Sequence, residues 1–404
     1  MLDNWQDYFK ITFELKGNKA LVIAVICDVL GEANNGTTIA AINLINSLRS
    51  KGHTVRVVCP DEEKRGEPDS YIVSRYHFGP LQKYVEKNGV APAKLDRAVL
   101  ESAIADADVI HVMLPFALGK AAARYAAAHD IPLTAGFHCQ AENITSHLFL
   151  QNARAVSRLV YRILYRRLYR YCDCIHYPTQ FICDVFESVV GPTPHRVISN
   201  GVSREFTPGT APSSSGHAPG SESFTVLYIG RYSREKRHDV LIDAAALSKH
   251  RNEIRLVFAG TGPLKAKLLR RAVKRDIPLP LMRFYRRDEL IDIIRSADLY
   301  VHPAEIEIEA IACLEAISCG RTPLIADAPR SATRYFALTE RNLFCVNDPE
   351  DLAENMDWWL EHPEEREACE QRYAGYARQF DFDRCMDEME FMLKDTIEAK
   401  RHAS

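Results

Sequence analysis

The sequence predicts an α/β chain of two Rossmann-like, doubly wound domains, and three observations predict it. Strand-like apolar runs alternate with helix-period segments through the first half. The alternation breaks at Gly209–Ser223, a Pro/Gly/Ser-rich stretch almost free of core residues. It then restarts at Phe224 and runs into an acidic, helical carboxyl-terminal segment. Repeated strand–helix alternation means βαβ units and a parallel sheet covered on both faces. At 404 residues, and roughly 150 residues per domain, two or three domains are expected.

The elements follow in order. Ala20–Val29 is a nearly continuous apolar run, the pattern of a strand buried on both sides. Thr37–Ser50 carries helical spacing at Ile39, Ile42, Leu44, Ile45 and Leu48, and Thr54–Cys59 is a β-branched strand. Asp108–Leu114, Pro132–His138, Cys174–Tyr177 and Arg196–Ser199 read as further strands, separated by helices at Pro92–Ala107, Leu118–His129 and Phe181–Val190. After the linker, strands are expected at Phe224–Gly230, Ile254–Gly260, Leu299–His302 and Pro323–Ala326. Helices are expected at Asp239–Lys249, Leu264–Arg275, Glu289–Ser296 and Ala310–Ser318, and Pro363 is expected to end the helix that bears Trp358 and Trp359. The domains are therefore placed at 1–208 and 224–382, with 209–223 as linker. In such a chain the default ligand site is a cleft between the domains, at the carboxyl ends of the strands.

Composition excludes several classes. With 51 Lys+Arg against 54 Asp+Glu, the formal net charge is -3, which argues against a general nucleic-acid binder. No apolar run reaches the ~20 residues that span a bilayer, and Met1–Lys10 is too polar for a signal peptide. The 11 cysteines are scattered with no CxxC, so neither a disulfide framework nor a zinc site is expected and a reducing cytoplasm is.

Two motifs carry chemistry. Gly230-Arg231-Tyr-Ser-Arg-Glu-Lys236 follows one strand directly and precedes a helix. Arg231 offers a planar fork and Lys236 a point charge to phosphate oxygens, and two cations suit a diphosphate leaving group. A solvated basic turn is the plain alternative. The second is Glu307-Ile-Glu-Ala-Ile-Ala-Cys-Leu-Glu315, two carboxylates with seven residues between them. Glu307 sits in the loop after strand Leu299–His302, and Glu315 lies about two turns into an apolar helix. A carboxylate there needs a partner, and a ribose diol can donate two hydrogen bonds to it.

The chain resembles the retaining glycosyltransferases of family 4, with a GT-B fold. The residues that carry the resemblance are Gly230-Arg231…Lys236, Phe258-Ala-Gly260-Thr-Gly262-Pro263, Ala297-Asp298…His302-Pro303, Glu307…Glu315-Ala316 with Gly320, and Asn200-Gly201-Val202 with Phe206 and Pro208. Within the family, His138-Cys-Gln140-Ala-Glu142-Asn143-Ile144-Thr145 and Ser331-Ala-Thr-Arg-Tyr-Phe336 look most like bacterial diacylglycerol glucosyltransferases. The resemblance implies that Arg231 and Lys236 hold the donor diphosphate, Glu315 the ribose and Glu307 the donor sugar. Gly230, Glu309, Ala310 and Ile311 would complete the donor site. His138 would touch the donor sugar and help place the acceptor, and Asn35-Gly36-Thr37 would form a loop near acceptor and diphosphate. The helix at 383–404 would cross back to the first domain. This sequence departs from the family where Glu309-Ala310 replaces the usual Phe-Gly and where Asn35 replaces one of two paired glycines. Because Glu305, Glu307 and Glu309 alternate, the assignment of Glu307 rests on spacing.

Arg154, Arg158, Arg162, Arg166, Arg167 and Arg170 crowd a stretch without acidic residues, and five of them recur every four residues. Such a helix reads as a membrane-surface element, or else as a solvated helix whose arginines pair with the acidic carboxyl-terminal segment. The expected function is transfer of glucose from UDP-glucose to a membrane lipid, diacylglycerol first, at the inner face of the cell membrane. No DxD motif stands at a strand end, so no metal cofactor is expected. The competing readings are a synthase extending a soluble glucan, a sugar-nucleotide epimerase, and a peripheral membrane-binding protein with a degenerate site.

Overall fold

The protein is described from a computed structural model, covering residues 19–30, 36–77, 79, 92–142, 153–209 and 223–403. Two compact units divide the chain. One takes the described residues up to Ala141, Ala153–Ile198 and those from Cys385 onward; the other takes Ser199–Arg384.

The first unit is built on a seven-stranded sheet. In chain order the strands are β1 (Val22–Ile26), β2 (Thr54–Cys59), β3 (Ser70–Ile72), β4 (Val109–Val112), β5 (Leu133–Gly136), β6 (Cys174–Tyr177) and β7 (His195–Val197). Their spatial order is β3-β2-β1-β4-β5-β6-β7, every pairing parallel. This is a doubly wound order, and its switch point lies between β1 and β4. Helices α1 (Gly36–Ser50), α2 (Arg97–Ile104), α3 (Ala117–His129), α4 (Arg154–Arg167) and α5 (Gln180–Val190) connect the strands. Ile23, Ala24, Val25 and Ile26 are fully buried, as a strand covered on both faces requires. At the switch point the buried Asp28 caps α3, accepting from the Leu118 and Gly119 amides at 2.9 and 3.1 Å. Burial pushes its carboxyl up to about 6, against those amide bonds.

The second unit carries β8 (Phe224–Ile229), β9 (Ile254–Ala259), β10 (Leu281–Arg283), β11 (Leu299–His302), β13 (Pro323–Asp327) and β15 (Leu343–Cys345) in the order β10-β9-β8-β11-β13-β15, again all parallel. A small pair, β12 (Ile306–Glu307) with β14 (Arg330–Ser331), stands apart. Its helices are α6 (His238–Leu247), α7 (Lys265–Lys274), α8 (Arg287–Ser296), α9 (Ile311–Ser318), α10 (Pro349–Glu361) and α11 (Pro363–Tyr376). Pro349 opens α10 behind an Asp348 cap, and Pro363 opens α11 at the point where α10 stops. The switch point lies between β8 and β11, so the loops after those two strands meet where an open α/β sheet binds ligand.

The two compact units divide at Ile198/Ser199, ahead of the expected linker Gly209–Ser223. Ser199 and Asn200 bond Glu309, Val202 bridges to Asp381, and Phe206 enters the second unit's core. Residues 210–222 lie outside the described residues.

A last helix, α12 (Phe382–Ala403), begins in the second unit and joins the first from Cys385 on. Its buried Glu390 meets Lys51 at 2.9 Å, His53 at 3.1 Å and Lys394 at 2.6 Å. Those partners outweigh burial and hold its carboxyl well below the ordinary carboxylate range. Asp395 meets Arg196 at 2.8 Å, and Lys400 meets Asp173 at 2.9 Å and Asp130 at 3.3 Å. Among the described residues, no helix is long and apolar enough to cross a membrane.

Candidate active site

The loops at the second switch point fit together backbone on backbone. After β8 the chain turns through Gly230-Arg231-Tyr232, and after β9 through Gly260-Thr261-Gly262. The Tyr232 amide donates to the Thr261 carbonyl at 2.8 Å. A Cβ on Gly260 would lie 2.1 Å from the Gly230 carbonyl oxygen, and one on Gly262 would lie 2.6 Å from the Tyr232 amide. Two turns can approach this closely only without side chains, which is the reason for the paired glycines. Arg231 emerges half-buried from this junction.

Lys236 ends a short 3-10 turn, and Arg237 leaves it at φ 51° to start α6. Both face the loop after β11, where the three alternating glutamates prove different. Glu305 is held by Arg237 and by Arg330, the latter at 3.1 Å. Glu307 is held by Lys236 and by His302 Nε2, the latter at 3.2 Å. Glu309 accepts from Ser199 Oγ at 2.5 Å, from the Asn200 amide at 3.0 Å and from the Asn200 side chain. Its carboxylate thus holds the Ser199–Gly201 segment. Burial still pushes the Glu309 carboxyl up to about 7, against those donors.

Glu307 has the opposite electrostatics. Burial would raise it, but the Lys236 charge and the His302 hydrogen bond prevail and hold it at about 2. An ionised carboxylate only accepts, so His302 Nε2 carries the hydrogen. His302 is 1% exposed, and burial lowers its pKa, against the pull of Glu307. In a neutral ring Nδ1 is then the acceptor, and Tyr300 Oη lies 3.0 Å from it. Tyr300 therefore donates to His302, which donates to Glu307, and the tautomer is fixed by its two neighbours. The sequence reading named His302 only as part of a motif. The available signal was its place as the last residue of a strand, at the end where ligands bind.

Glu315 lies in the second turn of α9, half-buried, and its carboxylate has no hydrogen-bond partner among the described residues. Burial pushes it up to about 7, with Arg287 pulling the other way. Ala310 precedes α9 at φ 62°, ψ 68°, a left-handed conformation that glycine adopts freely and alanine does not. The first amides of α9, beginning at Ile311, lie beside Glu309 and lack intrahelical acceptors as in any helix.

The remaining predicted residues lie in the first unit. His138 follows β5, and its ring folds over Gly136, where a Cβ would come within 2.3 Å of Nε2. That nitrogen is buried with no hydrogen-bond partner among the described residues, and burial, then His176 and His111, take its pKa well below the ordinary value. Gly36 and Thr37 form the first turn of α1; Asn35 lies outside the described residues. Arg154, Arg158, Arg162, Arg166, Arg167 and Arg170 are all exposed, on α4 and the turn after it. None has an acidic partner within 4.0 Å among the described residues, and Asp387, Glu390 and Asp395 of α12 pair elsewhere. Leu159 and Ile163 are exposed among them, at 56% and 38%.

Two cations thus follow β8, and a helix with an embedded carboxylate follows its neighbour β11. Two family models match this chain, one described as Glycosyltransferase Family 4 over residues 34–206 and one as Glycosyl transferases group 1 over residues 213–375. The chain belongs to this family of glycosyltransferases and has the GT-B fold. It is 34% identical over 153 residues to a GDP-mannose-dependent α-(1-6)-phosphatidylinositol dimannoside mannosyltransferase of Mycobacterium tuberculosis, a match that spans 37% of this chain and 39% of that protein. It is 25% identical over 372 residues to a GDP-mannose-dependent α-mannosyltransferase of Corynebacterium glutamicum, covering 87% of this chain and 84% of the other. Among solved structures, Anabaena Alr3699/HepE in complex with UDP and glucose superposes with a TM-score of 0.74 at 16% identity, over 93% of this chain and 100% of that one. At that identity the likeness is one of fold.

Proposed function

We propose that this glycosyltransferase moves a hexose from a nucleoside diphosphate donor to a membrane lipid, with retention at the anomeric carbon. Arg231 and Lys236 take the diphosphate. Lys236 then exchanges its bond to Glu307 for one to phosphate, and Glu307, still oriented by His302, turns to the donor sugar. Glu315 accepts from the ribose hydroxyls, and the first amides of α9, after Glu309 and Ala310, lie by the phosphates. Side-chain cations meet the charge of the leaving group, so turnover needs no divalent ion.

The observation that carries the lipid acceptor is the α4 face: six exposed arginines without acidic partners among the described residues, around exposed Leu159 and Ile163. Each cation near an anionic leaflet contributes about 1 kcal/mol, and two apolar side chains can enter the headgroup layer. Lys120 on α3 extends the patch, since Arg167 is close enough to help burial lower its pKa. The protein then works as a peripheral enzyme on the inner face of the cell membrane, with diacylglycerol as acceptor.

Glucose from UDP-glucose is the first reading of the donor. Mannose from GDP-mannose is the second, favoured by the names of both curated relatives. The test is incubation of the full chain with radiolabelled UDP-glucose or GDP-mannose and vesicles of anionic phospholipid containing diacylglycerol, followed by phase extraction. Label in the organic phase, in a product cleaved by an α-glycosidase, is the expected result. Label confined to water-soluble products with either donor refutes the lipid acceptor. A β-linked product refutes retention.

A further inference from the structure

Three imidazoles meet on one face of the first sheet. In the register of β4, β5 and β6, His111 stands beside Thr134 and His176 beside Gly136. Thr134 and Gly136 are two residues apart on β5, so their side-chain positions share a face, and their neighbours His111 and His176 are brought to it with them. Gly136 leaves a gap on that face. The ring of His138 folds back into it, since a Cβ on residue 136 would lie 2.3 Å from His138 Nε2. The ring centroids of His138 and His176 are 5.6 Å apart, at 70°.

Neighbours fix the hydrogens of two of these rings. His176 Nε2 is 2.7 Å from the Ile198 carbonyl oxygen, which only accepts, so Nε2 carries the hydrogen. His111 Nδ1 is 2.9 Å from Thr134 Oγ1, and that hydroxyl gives its own hydrogen to the Ile110 carbonyl at 3.3 Å. His111 Nδ1 is therefore the donor. Burial lowers the two pKa values, to about 3 for His111 and about 4 for His176, so both rings are neutral. The other nitrogens, His111 Nε2 and His176 Nδ1, each hold a lone pair. Both are buried with no hydrogen-bond partner among the described residues, as is His138 Nε2.

We propose that one water, buried among these three nitrogens, joins the rings and makes His111 and His176 positioning residues for His138. The water donates to His111 Nε2 and to His176 Nδ1, and accepts from the hydrogen on His138 Nε2. The opposite tautomer of His138 fails, because three lone pairs would then face a water with two hydrogens. An unpaired polar atom in the interior bears its full desolvation cost, and three polar partners are what a buried water ordinarily finds. His138 is half-buried and Nε2 is its inner nitrogen. Its lone pair is thereby held on Nδ1, at the carboxyl end of β5, the end at which an open α/β sheet meets its ligand. There His138 accepts a hydrogen from a hydroxyl group and has none to offer an anion.

The full chain grown on isotope-labelled histidine is the sample, read by long-range proton–nitrogen correlation spectra. His111→Gln, His138→Gln and His176→Gln assign the signals. The expected result at pH 7 is a neutral His138 with its hydrogen on Nε2, and a nuclear Overhauser contact from that hydrogen to a long-lived water. All three rings should stay neutral at pH 5, where an ordinary imidazole of pKa ~6.5 is charged. His176→Phe leaves the water two nitrogens for its two hydrogens, so it should admit the second tautomer at His138, a change that loss of packing alone does not produce. A wild-type His138 with its hydrogen on Nδ1 overturns the proposal. So does a Nε2 hydrogen without contact to water, or a single unchanged tautomer in His176→Phe.

Discussion

Replacing Lys236 by Met removes a charge and keeps most of the apolar stem, and its pairing with Glu307 gives that change a stability effect beside the proposed catalytic one. Glu307 has a side chain 11% exposed, and Lys236 one 22% exposed, so water screens the pair only in part. Holding the Glu307 carboxyl at about 2 instead of the ordinary 4.5 corresponds to about 3 kcal/mol, at ~1.36 kcal/mol per pKa unit. Against burial, the Lys236 charge is the largest single cause and the His302 hydrogen bond the next. Lys236→Met should therefore destabilise the second unit by about 2 kcal/mol, because a mostly buried carboxylate loses its counter-charge. Glu307→Gln in the same background should restore at least ~1 kcal/mol of that loss. Turnover of either single variant should fall by roughly 10²-fold.

The sign of the pH dependence follows from the depressed pKa. The contribution is complete above the unfolded value of 4.5 and is lost as pH falls toward 2. The unfolded state cancels in the gap between wild type and Lys236→Met, so that gap should narrow by only about 0.2 kcal/mol between pH 7 and pH 4 and by about 1 kcal/mol on reaching pH 3, where the variant's carboxyl protonates first. Urea unfolding followed by tryptophan fluorescence measures all four proteins of the cycle, since Trp358 and Trp359 both lie on α10 of the second unit. A coupling below ~0.5 kcal/mol, or a gap that widens on acidification, would refute the ion pair and with it the exchange of Lys236 between Glu307 and phosphate.

Glu315 is held near 7 by burial and binds ribose best when ionised, so kcat/KM for the donor should rise with pH through 7. Glu315→Gln should remove that inflection and mainly raise the donor KM; an inflection that persists in the variant assigns it to another group. Ala310→Gly should stabilise by about 1 kcal/mol, as relief of ~1–2 kcal/mol of left-handed strain exceeds the added chain entropy of ~0.4–1 kcal/mol. A lower melting temperature for that variant would contradict the φ of 62°. Changing Arg154, Arg158 and Arg162 to Gln should weaken binding to anionic vesicles by up to ~3 kcal/mol with little change in thermal stability. Unchanged vesicle binding in a flotation assay would remove α4 as the membrane contact.

What could be read from the sequence depended on where the deciding interactions came from. Thr54–Cys59, Cys174–Tyr177 and Leu299–His302 are strands to the residue, because central parallel strands are apolar on both faces and need no outside information. β3, β10 and β15 were not legible. Each is three residues long, and a pattern so short acquires meaning only from the strand beside it. The glutamates 305, 307 and 309 show the same limit at the site. They share a residue type, a loop and an alternation, and nothing local separates them. Their roles diverge because Arg237 and Arg330 reach the first, Lys236 and His302 the second, and Ser199 with Asn200 the third. Those partners come from four separate segments of the chain. Spacing selected Glu307, but it could not reveal that Glu309 fastens the Ser199–Gly201 segment to the start of α9. With Glu309 engaged in that way, the polar groups this turn leaves open are those of the backbone. That is also why Ala310, with φ of 62°, can stand in a turn that glycine enters more freely: the turn has to be left-handed whichever residue occupies it, and the three donors on Glu309 help to hold it there.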